Sequence, residues 1–125
     1  MTKDQELLQW AAKAAGYQID PRASFFTWRD SRCLVLLNPQ DGHPLWNALD
    51  DDGDALRLAV ALKLHTGYSG SNQYFAGPSD SDKGIMRESG ERCGVGDPYA
   101  ATRRAIVRAA AEIGKAMPTP TGDGA

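Results

Sequence analysis

Apolar and polar positions recur along this chain with two periods, and three stretches repeat at helical spacing. Leu7, Leu8, Ala11, Ala12 and Ala15 fall on one side of a first helix, leaving Lys3, Glu6, Gln9 and Lys13 for water. Thr2, followed three places later by Gln5, forms a capping box, and Gly16 supplies the stop. A second helix is predicted over residues 55–64. There Leu56, Ala59, Val60, Leu62 and Leu64 make it apolar around much of its circumference, which implies deep packing. Asp50, Asp51, Asp52 and Asp54 stand ahead of it, where carboxylates accept from unpaired amides and face the positive end of the helix dipole. A third helix starts at Asp97-Pro98, a cap followed by the proline that suits the first helical position, and runs to Met117. Ile106, Ala109, Ala110, Ile113 and Met117 share one side of it; Arg103, Arg104, Arg108 and Lys115 populate the rest.

Between the helices the pattern shortens to that of strands. Residues 17–20, ending at Pro21, read as a short edge strand, and residues 24–28 carry the aromatic and β-branched side chains that suit a pleated surface. Residues 32–37 form an apolar run closed by the turn formers Asn38-Pro39-Gln40-Asp41-Gly42, the signature of a buried strand. Residues 66–70 read as a Gly and Ser turn. Two further strands are expected at 72–76 and 84–89, separated by a polar connector over 77–83, with a Gly-rich stretch at 90–96. The expected fold is α+β: a small, mainly antiparallel sheet of three to five strands packed with three helices, in an α/β/α sandwich-like arrangement. Residues 1–117 make one domain, and residues 118–125, with almost nothing to bury, make a disordered tail.

The charge balance narrows the partners. A formal net charge of -2 gives no global field toward nucleic acid or an anionic membrane, so any such contact is local. No apolar run reaches the roughly 20 residues that span a bilayer, and the polar, acidic start does not resemble a secretory signal. A cytoplasmic protein with reduced Cys33 and Cys93 is the expectation, because two cysteines in unrelated segments make neither a disulfide framework nor a four-ligand zinc site.

Candidate chemistry is sparse. The acidic cluster at 50–54 fails the spacing of a calcium loop, since Gly53 falls fourth and Ala61 takes the twelfth place, so its acids are read as helix caps. Gly67-Tyr68-Ser69-Gly70 brings its second glycine one position too early for a nucleophile elbow. Neither His43 nor His65 has a local partner to orient it as a base, and Glu88 and Glu91, among Arg87 and Arg92, read as a solvated charged loop. No catalytic residue, metal ligand or cofactor is assigned, and the chain is not expected to be an enzyme. What remains is recognition. Arg103, Arg104 and Arg108 suit phosphates or carboxylates; Tyr68, Tyr74 and Phe75 are candidate contact aromatics; the amides near Gly94 and Gly96, ahead of the third helix, are a candidate anion site. Of Trp10, Trp28 and Trp46, one is expected at the surface.

Three segments taken together carry a resemblance: Leu7-Leu8-Gln9-Trp10-Ala11-Ala12-Lys13-Ala14-Ala15-Gly16, Leu45-Trp46-Asn47-Ala48-Leu49-Asp50-Asp51-Asp52-Gly53-Asp54-Ala55-Leu56-Arg57-Leu58, and Asp97-Pro98-Tyr99-Ala100-Ala101-Thr102-Arg103-Arg104-Ala105-Ile106. They resemble small phage and prophage proteins of the phage ABA-sandwich type. The resemblance implies a short antiparallel sheet packed with helices and transfers no catalytic residue. Residues 67–96 are longer and richer in glycine than it suggests, which makes them the place for a function peculiar to this chain. The expectation is therefore a non-enzymatic phage or prophage accessory protein that binds a host protein or complex, with an inhibitor of a host defence complex as one form of it. The alternatives are a small-molecule or nucleotide-binding protein using Gly94, Gly96 and Arg103 or Arg104, and nucleic-acid binding through the basic third helix.

Overall fold

The computed structural model of the chain describes residues 3–20, 25–28, 31–37, 44–68, 73–78, 86–89 and 98–117. In chain order they form α1 (Lys3–Ala14), β1 (Phe25–Trp28), β2 (Ser31–Val35), β3 (Leu45–Trp46), α2 (Asp52–Ala61), β4 (Leu64–Tyr68), β5 (Gln73–Pro78), β6 (Met86–Ser89) and α3 (Pro98–Ala116). The strands pair antiparallel in two three-stranded sheets, ordered β1-β2-β3 and β4-β5-β6. The chain is α+β, with the three helices and the antiparallel pairing that its pattern predicts. Its strands are divided between two sheets where the pattern suggested one.

Gly16 ends α1 as expected. At φ +80° it lets the Tyr17 amide donate to the Ala12 carbonyl at 2.9 Å and its own amide donate to that of Lys13 at 3.0 Å, which satisfies carbonyls the helix leaves unpaired. The Tyr17 ring then meets Trp46 edge-on, centroids 5.5 Å apart, fixing the chain's exit from α1 against the first sheet. The edge strand expected at 17–20 is reduced to an Ile19–Leu36 bridge, flanked by the Asp20 amide on the Val35 carbonyl and the Leu37 amide on that of Gln18. In the first sheet Phe25, Leu34 and Trp46 stand opposite one another across three strands; Leu34 and Trp46 are buried and Phe25 packs against the core. β3 has no period-two signature because it is two residues long. Trp46 Nε1 has no hydrogen-bond partner among the described residues, so this indole contributes through its area.

The middle of the chain departs most from the expectation. α2 is buried on one face only: Ala55, Leu58 and Ala59 lie inside, while Leu56 and Val60 are 63% and 68% exposed. Leu64, expected on the helix, opens β4 instead, because Lys63 at φ +55° turns the chain out of α2. The turn expected at 66–70 is strand through Tyr68, and Gly77 and Pro78, expected to open a connector, close β5. Gly67 misleads the sequence reading: in the strand it makes room for Phe75 of β5, whose Cζ would lie 3.1 Å from a Cβ at that position.

α3 is the common wall. It packs most extensively on α1 and also against α2 and all three strands of the second sheet. Its burial is wider than the predicted stripe, taking in Ala101, Ala105, Ile106, Val107, Ala109, Ala110, Ala111 and Gly114, whereas Met117, expected on the buried side, is exposed. The largest fully buried side chains, Leu8, Leu34, Leu58 and Val107, come from α1, β2, α2 and α3, and with Trp46 of β3 and Ala76 of β5 they belong to one core. Each such burial stabilises the fold by about 1.5–3 kcal/mol. Of the tryptophans, Trp46 is buried and Trp10 is half-buried under the Lys13 ammonium; the Trp28 side chain lies outside the described residues. So do Thr2, the turn at 38–42, residues 79–85, the Gly-rich stretch at 90–96, Asp97 and the tail at 118–125.

Two substitutions test this packing with opposite signs. Alanine normally stabilises a helix interior relative to glycine by about 1 kcal/mol. At Gly114, however, a Cβ would overlap the Trp10 carbonyl oxygen and lie 2.9 Å from its carbon, and a helix backbone cannot swing aside. Gly114→Ala is expected to destabilise by about 2 kcal/mol in urea unfolding, and a gain would mean the helices have room to spare. Lys63→Gly removes a side chain from a left-handed conformation and is expected to stabilise by about 0.5–1 kcal/mol.

Candidate functional site

The densest polar cluster lies where β3 runs into α2. Asp51 caps the helix, its Oδ1 accepting from the Asp54 amide at 2.9 Å. This is the role expected of the acidic run. Asp54, in the third helical position, turns its carboxylate back toward the preceding turn: Oδ2 accepts from the Asn47 amide at 3.0 Å and Oδ1 from Arg57 at 2.8 Å. Asn47 is itself buried. Its Oδ1 accepts from the amides of Leu49 and Asp50, and its Nδ2 donates to the Arg32 carbonyl of β2. One asparagine thus ties the first sheet to the start of α2. Sequence reasoning missed it, although an Asn three places before an acid, just ahead of a helix, is the ordinary mark of an Asx turn.

Burial holds the Asp54 carboxyl above its ordinary value of 3.8. The Asn47 amide and the Arg57 guanidinium pull the other way, the neighbouring Asp51 carboxylate adds to the rise, and desolvation prevails. Both Asp54 oxygens are engaged in holding the turn, so the cluster is architectural.

Two of the arginines singled out on α3 are engaged by other elements of the fold. Arg103 donates from Nε to the Leu49 carbonyl at 2.8 Å and pairs with Asp52 at 2.6 Å, clamping α3 to the same turn. Arg104 pairs with Asp4 of α1 at 2.9 Å, and Arg108 lies half-buried one turn further along. Two of the three therefore join helices, and each is accompanied by a carboxylate that opposes a second anion.

The aromatics are brought together in part. Tyr68 and Tyr74 are register partners on β4 and β5, with rings 5.2 Å apart and tilted by 46°; Tyr68 is 57% exposed. Their face is the one on which Ala76, opposite Thr66, is buried in the core, so the pair sits at the rim of the face that α3 covers. Phe75 points to the other face, over Gly67. The alternation of the strand separates it from the tyrosines, and no periodicity in the Gly-rich middle announced that.

Gly94, Gly96, Cys93, His43, Ser69, Glu91 and Arg92 lie outside the described residues, as do the side chains of Arg87 and Glu88. Cys33 is buried and His65 is exposed on β4. Among the described residues no three His, Cys, Asp or Glu side chains are grouped to hold a metal ion, and no helix is long and apolar enough to cross a membrane. Compared with models of protein families, with curated proteins and with solved structures, the chain matches none.

The polar cluster is tested by pH. A carboxyl whose native pKa is raised binds more protons in the folded than in the unfolded chain, so its contribution is full below the unfolded value and falls as pH climbs through the native titration. In urea unfolding across pH 3 to 7, in roughly half-unit steps, wild type is expected to lose stability relative to Asp54→Asn as pH rises. A wild type that gains stability relative to Asp54→Asn as pH rises would reverse the assignment. Asn47→Ala, which strands buried amides and the Arg32 carbonyl, is expected to cost about 2–3 kcal/mol at any pH in that range.

Proposed function

We propose that this chain is a non-enzymatic binding protein that acts on a host protein or protein complex, in the manner of a phage or prophage accessory protein in the host bacterial cytoplasm. The Tyr68–Tyr74 pair carries the binding part of this reading. Two tyrosines with tilted rings in contact across neighbouring strands present a large aromatic surface with hydroxyls, and side chains with only two torsions lose little conformational freedom on meeting a partner. Exposed aromatic area of this kind on a small domain supports occupation of another protein's surface. The phage setting rests on the resemblance of the three helical segments, and an inhibitor of a host defence complex is the form of partner it favours.

Nucleic-acid binding through α3 is less favoured. Arg103 and Arg104 are held by Asp52 and Asp4, and those carboxylates would be brought beside any phosphate that approached. The nucleotide reading depended on Gly94 and Gly96 together with these same arginines.

The test is capture with a photo-cross-linking residue at position 68, in lysogenic or infected bacterial cells, followed by a direct binding assay with the protein that is captured. Tyr68→Ala with Tyr74→Ala is expected to weaken that binding by about 30-fold or more while the melting temperature moves little. Binding indifferent to both tyrosines would remove this surface from consideration.

A further inference from the structure

We draw no further inference here: the strongest candidate, the exposed apolar stripe of Leu56 and Val60 on the outer face of α2, carries none because nothing in the structure shows what covers it.

Discussion

The close approach of α1 and α3 is the constraint on which the rest of the structure depends. Trp10 and Gly114 meet backbone to side-chain-free backbone, and Ala11 and Ala12 on α1 are wholly buried, as are Ala105, Ala109 and Ala110 along α3. Small residues let two helices come near enough for their main chains to touch, and contact that close admits little sliding. With α1 locked on one side of α3, the remaining surface of α3 is left for α2 and the second sheet. The small alanines of α3 are what allow several partners to reach it.

Polar groups then set the angles that close packing leaves open. Asn47 and Asp54 join β2, the turn after β3 and the first turn of α2; Arg103 fastens that turn to α3; Arg104 fastens α3 to α1. Much of the charge that looked available for recognition is therefore consumed in joining elements. Exposed pairs such as Arg104 with Asp4 stabilise little, about 0–1 kcal/mol. Arg103 and Asp54 act in half-buried or buried surroundings, where an unmade bond costs more than a made one gains.

Among the large apolar side chains this leaves outward are Leu56 and Val60 on α2, Tyr68 on the second sheet and Tyr99 on α3. The charged groups of α3 are thus partnered within the fold, while Leu56, Val60 and Tyr68 are left at the surface. The two patches differ in kind. The tyrosine pair is aromatic and carries hydroxyls, whereas the α2 stripe is aliphatic.

The helices were legible because their signals are local: Gly16 as a stop, Asp51 as a cap and Pro98 at the first position of α3 each act within a few residues of themselves. So was the buried run around Leu34, and with it the α+β class. Tertiary structure alone decided the rest. Gly67 reads as a turn until Phe75 covers it, a two-residue strand has no period, and the exposure of Leu56 and Val60 depends on which face of α2 the core reaches first. The placement of the arginines followed the same rule, since their carboxylate partners lie about 50 and 100 positions away in the chain. Local chemistry is written in neighbouring residues, whereas which charges are spent and which apolar faces stay bare is settled only when distant segments compete for one interior.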